Sequence, residues 1–137
     1  MKIDHEYLKN LLIAFEDSEG VETNIIELKE AGFDHNDMKF IFHMRLLDDQ
    51  NLVLRTDGEN GFGLYQGIDS YSWSVMPLRL TAQGHDFIAA LRQKEVWNTV
   101  RDNFKEASIS TLIEVTKELA KGFAMKKVKA LTGFDPD

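Results

Sequence analysis

The run Met38-Lys39-Phe40-Ile41-Phe42-His43-Met44-Arg45-Leu46-Leu47 constrains this chain more than any other stretch. At 100° per residue its apolar side chains point in nearly every direction: Phe40, Met44 and Leu47 form one stripe, Met38, Phe42 and Leu46 a second, with Ile41 between them. A helix so apolar has to be enclosed on more than one side. What it leaves for solvent is a narrow polar strip, Asn36, Lys39 and His43 at spacing i, i+3, i+7, with Arg45 pointing elsewhere. Asp34 is expected to cap the helix, with Asp37 near its positive end. Asn51-Leu52-Val53-Leu54 then alternates like a strand, so helix feeds straight into strand.

The flanking segments fit that centre. Asp4 is an expected N-cap for a helix to about Asp17, with Leu8, Leu11, Leu12 and Phe15 at three- and four-residue steps. Ser18-Glu19-Gly20 breaks it. Thr23 is expected to cap a short helix, Asn24 to Ala31, which Gly32 stops, and Phe33 packs across the turn. After the central helix, Leu52 to Thr56 and Val75 to Thr81 read as two strands of one ladder. The glycine- and aromatic-rich segment between them suggests a short third strand near Phe62 to Tyr65. Thr81 caps a helix from Ala82 to about Lys94, with Phe87, Ile88 and Leu91 inward. Val96, Trp97, Val100 and Phe104 continue an amphipathic face over Glu95 to Glu106, as one bent helix or two. The last helix is predicted to open on a capping box, Thr111-Leu112-Ile113-Glu114, to carry Leu112, Val115, Leu119 and Phe123 on one side, and to finish at Gly133 and Pro136. Helix, helix, helix, strand, wing and strand make a winged helix-turn-helix of the α+β class over residues 1–93. Residues 94–137 form a helical extension that packs on it or mediates dimerisation.

Charge bears on what such a fold binds. Of the net −7, residues 1–50 hold the whole excess, with five Lys/Arg against twelve Asp/Glu, while the remainder is balanced. From Thr56 through Leu78 there is no Lys or Arg, against Asp57, Glu59 and Asp69. A polyanion is gripped mostly through cations, so tight non-specific DNA binding is not expected. The absence of cysteine excludes disulfides and thiolate chemistry. Met1 to Glu6 lacks the apolar core of a signal peptide, and no run approaches about 18 apolar residues, so a cytoplasmic location is expected.

Leu80-Thr81-Ala82-Gln83-Gly84-His85-Asp86-Phe87-Ile88-Ala89-Ala90, followed by Glu95-Val96-Trp97-Asn98-Thr99-Val100, resembles the signature of a bacterial and prophage family of small uncharacterised winged-helix-like proteins, domain of unknown function twenty-five thirteen. His43-Met44-Arg45-Leu46-Leu47 with Leu52-Val53 is similar to that family's third-helix end. The resemblance implies a fold and a mobile-element origin. It brings no activity, ligand or catalytic residue, and the long aromatic, acidic wing departs from it.

No chemistry-bearing motif stands out. His5, His35, His43 and His85 include no i, i+4 pair, so no metal site is expected. No phosphate loop, nucleophile elbow or dinucleotide fingerprint is present, and neither a cofactor, a small-molecule substrate nor a catalytic residue is assigned. His85 is read as structural. Three sets remain as interaction candidates: the strip Asn36, Lys39, His43 and Arg45; the wing aromatics Phe62, Tyr65, Tyr71 and Trp73; and a dimer face of Leu112, Val115, Leu119 and Phe123. The expected function is a small non-enzymatic regulatory or adaptor protein acting through a protein partner, with a homodimer possible and membrane docking through Lys126, Lys127 and Lys129 disfavoured. One alternative is a dimeric sequence-specific DNA-binding regulator that reads base edges with the strip. Another is an acidic nucleic-acid mimic using Asp34, Asp37, Asp48 and Asp49.

Overall fold

The computed structural model describes residues 1–134, so the stop expected at Pro136 lies outside the described residues. Among them are six helices and four three-residue strands, the mixed composition of an α+β chain. The chain divides into two compact units, Met1–His85 and the residues from Asp86 onward.

In the first unit, α1 (His5–Glu16) starts where Asp4 turns extended and its carboxylate accepts the Tyr7 N–H at 3.0 Å. Leu8, Leu11, Leu12 and Phe15 make its buried face, as their spacing predicts. The second helix, α2 (Ile25–Glu30), is capped one residue later than expected. Asn24 Oδ1 accepts from the N–H groups of Ile26 and Glu27. Thr23 is held instead in a bridge to Leu78, with N–H···O distances of 2.7 and 2.8 Å, and its hydroxyl donates to Glu27. Two backbone bonds to a strand outweigh one cap bond. Gly32, at φ +103°, and the Phe33 N–H donating to Leu28 then close the helix.

α3 (Met38–Asp49) also starts later than Asp34. Asp37 occupies the cap position without a side-chain bond, and the Asp34 carboxylate accepts the Asn36 N–H in the turn before it. Phe40, Met44 and Leu47 are fully buried and Ile41 nearly so, while Met38 is 67% exposed. One of the two apolar stripes is therefore core; the other begins at the surface. Asn51 in the left-handed region turns the chain, with the Leu52 N–H donating back to Leu47.

β1 (Val53–Arg55) pairs antiparallel with β4 (Leu78–Leu80), Val53 opposite Leu80, and Thr23 bridges the same β4 residue, Leu78, that faces Arg55. α1 packs against β4 and α3 against β1, so the ladder and both helices share one core. Between them, β2 (Leu64–Gln66) and β3 (Tyr71–Trp73) form a separate hairpin, Leu64 opposite Trp73. Sequence pattern marks only the first of these two strands. The hairpin is fastened by Trp73, whose ring lies 5.9 Å from Phe62, 6.0 Å from Phe40 and 5.4 Å from His35. Trp73→Ala is expected to cost about 2 kcal/mol, read by urea unfolding.

α4 (Ala82–Leu91) begins in the first unit and ends in the second. It stops at Leu91, and α5 (Lys94–Asn103) is a separate helix with Val96 and Val100 buried and Trp97 and Phe104 half-buried. α6 (Ile109–Thr132) is capped by Ser108, whose hydroxyl accepts the Thr111 N–H at 3.2 Å; the expected Thr111 box lies inside the helix. Gly133, left-handed at φ 75°, ends it. α6 packs on α5. Its buried residues are Ile109, Leu112 and Thr116, all in its first eight positions.

Candidate interaction surface

The strip on α3 is mostly used up inside the chain. His43 is fully buried, which corrects its placement among exposed reading residues. Its Nε2 accepts the Asp4 N–H at 3.0 Å, and that bond leaves the proton on Nδ1, which donates to the Lys39 carbonyl at 2.7 Å. The rings of Tyr7 and Phe42 flank it at 4.7 and 5.1 Å. Burial holds its pKa below the ordinary histidine value, the Lys39 carbonyl and the Asp4 charge opposing.

Lys39 is exposed but committed. Its ammonium donates to Asp4 Oδ2 at 2.7 Å and lies 5.0 Å from the Tyr7 ring centre. That ammonium, then the Tyr7 N–H, holds the Asp4 carboxyl below its usual range. Burial, then the carboxylates of Asp37, Asp34 and Asp4, pushes the Tyr7 hydroxyl up to about 12. Asn36 is exposed and sits in the turn before the helix. Arg45 reaches the hairpin, donating to Gln66 Oε1 at 3.2 Å with its guanidinium 5.6 Å from the Tyr71 ring centre. So the four residues do not form one reading edge: two tether α3 to the start of α1, one braces the hairpin, one stands apart.

The aromatics expected on a wing divide likewise. Phe62 is buried and Trp73 half-buried against α3, correcting their assignment to an outer surface, while Tyr65 and Tyr71 are 50% and 38% exposed. Ile68 at the hairpin turn is fully exposed, and sequence reasoning misses it because one isoleucine in a turn carries no periodicity. Next to Tyr71, a hollow of about 180 Å³ is lined by Met1, Met38, Ile41, Phe42 and Arg45. Met38 and Phe42 belong to the stripe that periodicity assigns to the core. Here they border the hollow instead.

Of the expected dimer face, Leu112 is 1% exposed within its own chain, while Val115, Leu119 and Phe123 are half-buried. His85 is exposed. Among the described residues, no group of three His, Cys, Asp or Glu could hold a metal ion, and no helix is long and apolar enough to cross a membrane.

An α+β chain with a buried, tethered third helix and an apolar, cation-poor hairpin edge is the class these features define. Residues 2–110 match the family described as "Hypothetical protein (DUF2513)", and the chain belongs to that family. An uncharacterised protein of Haemophilus influenzae is 24% identical over 121 residues, covering 88% of this chain and 93% of that protein. No solved structure matches this chain.

Proposed function

We propose that this is a non-enzymatic winged-helix protein, regulatory or adaptor in role, that works by docking a protein partner on the α3–hairpin edge. The order α1, Thr23 bridge, α2, α3, β1, hairpin, β4 supports the winged-helix reading, with the β2–β3 hairpin as the wing. The observation that carries the partner reading is the pair of exposed apolar side chains Met38 and Tyr71 lining the small hollow, with Tyr65 and Ile68 exposed elsewhere on the hairpin. Aromatic and methionine side chains with few charges are the composition of a protein-interface centre.

DNA reading is supported less. His43 is inside, Lys39 is paired with Asp4, and the segment from Thr56 through Leu78 offers no cation. The test takes tagged protein expressed in its native host, with Met38→Asp/Tyr71→Asp as comparison. A partner recovered by the wild type should bind the purified protein directly and lose at least about tenfold in affinity to the variant, an anchor-sized effect. Equal affinity for both proteins, or duplex DNA binding that falls steeply with salt, would overturn the proposal.

A further inference from the structure

A cleft in the first unit and the far end of α6 have matching chemistry. The cleft, about 770 Å³, runs between α1 and α2, where Ile13, Ala14 and Phe33 meet the carboxylates of Glu19, Glu27 and Glu30; among the described residues, no Lys or Arg lines it. α6 offers the inverse. Its 24 residues span about 36 Å at 1.5 Å per residue, and beyond Thr116 none is fully buried. Val128, Leu131 and Phe134 are 45%, 76% and 78% exposed. Between Leu119 and Phe134 the sequence has four lysines, Lys121, Lys126, Lys127 and Lys129, and no acidic residue.

We infer that the basic, apolar end of α6 docks in the acidic α1–α2 cleft of a second copy of this chain. Charge complementarity selects that occupant. The first 50 residues carry the chain's entire negative excess, and the lysine-rich end of α6 is its densest cationic segment, so copies present the two halves of the contact at equal concentration. Apolar side chains on both halves supply burial, and the charges around them set the register and the partner. A reciprocal exchange of ends would close into a dimer, whereas a single head-to-tail contact would leave an open chain. An anionic membrane is the competing occupant for a basic amphipathic helix end, but it would leave the acidic cleft without a role.

The experiment is sedimentation equilibrium of the full chain up to about 100 µM, on the wild type and on two charge reversals, Glu19→Lys/Glu30→Lys and Lys126→Glu/Lys127→Glu. All four residues are exposed, so both variants should melt near the wild type. The wild type should associate at low salt and weaken about tenfold or more at ~0.5 M salt, where screening shortens to a few ångström. Each reversal alone should weaken association by at least about tenfold. Mixed, the two variants should pair with each other, since one then offers a basic cleft and the other an acidic helix end. A monomer at low salt overturns the inference, as does association indifferent to both reversals. So does a protein that stays monomeric yet is retained by phosphatidylglycerol vesicles.

Discussion

Gly84→Ala should destabilise the protein by about 3 kcal/mol, enough to lower its melting midpoint by roughly 10 °C. Gly84 lies in the first turn of α4, where its N–H donates to the Thr81 hydroxyl at 3.0 Å. That hydroxyl donates in turn to the Asn51 carbonyl at 2.7 Å, and the Thr81 N–H to the Leu52 carbonyl at 2.9 Å. A Cβ on Gly84 would overlap the Leu52 carbonyl oxygen and press on Leu80 Cβ. Leu52 is the last residue of the passage from α3 to β1, its N–H bonded to Leu47 and its carbonyl to the Thr81 N–H, so the collision is with backbone held by its own hydrogen bonds and not with a flexible side chain. Gly122→Ala is the contrasting substitution. It lies inside α6 with open space around the added methyl, and should stabilise by about 1 kcal/mol through helix propensity alone. Calorimetry on both should give shifts of opposite sign.

His43→Ala should cost about 3 kcal/mol at pH 7.5, since it empties a fully buried site and leaves the Asp4 N–H without its partner. Its second signature is in pH. Burial lowers the folded-state pKa of His43 below the unfolded value of about 6.5. Between the two values the unfolded chain binds the extra proton, so stability falls as pH falls from about 6.5 through the depressed folded pKa. The wild type should lose stability across that window and the variant should lack this contribution. The lowered Asp4 pKa acts further down, below about 3.8, where losing the Asp4 charge also releases Lys39. Urea titrations at half-unit pH steps separate the two.

How much of the fold is legible in the sequence depends on whether the signal is periodic or tertiary. Leu8, Leu11, Leu12 and Phe15 announce α1, and Phe40, Met44 and Leu47 announce the enclosed side of α3, because buried faces repeat at the helical period. Cap positions shift from Thr23 to Asn24, from Asp34 to Asp37 and from Thr111 to Ser108. At α2 and α6 more than one nearby side chain can accept the cap bond, and what else competes for them decides, as the β4 bridge does for Thr23; Asp37 takes the cap position of α3 with no side-chain bond at all. The β2–β3 hairpin is only half visible because its strands are largely exposed and no buried face alternates along them, as one does in β4. His43 eludes sequence reasoning for a deeper reason. A helical wheel shows which residues share a face, but not that Asp4 and Tyr7 of another segment cover that face. Met38 departs the opposite way: its stripe reads as core, yet it begins at the surface beside the hairpin.

His43, buried, and Lys39, at the surface, both bond to Asp4 and so hold the start of α1 against α3. The ring nitrogens of His43, followed by nitrogen-15 NMR from pH 8 to pH 5, test it most directly. One neutral tautomer is expected, with Nδ1 protonated and Nε2 bare, titrating below the ordinary histidine value and coupled to the Asp4 amide. A ring that exchanges between tautomers and titrates near about 6.5, as a solvated histidine does, would contradict it.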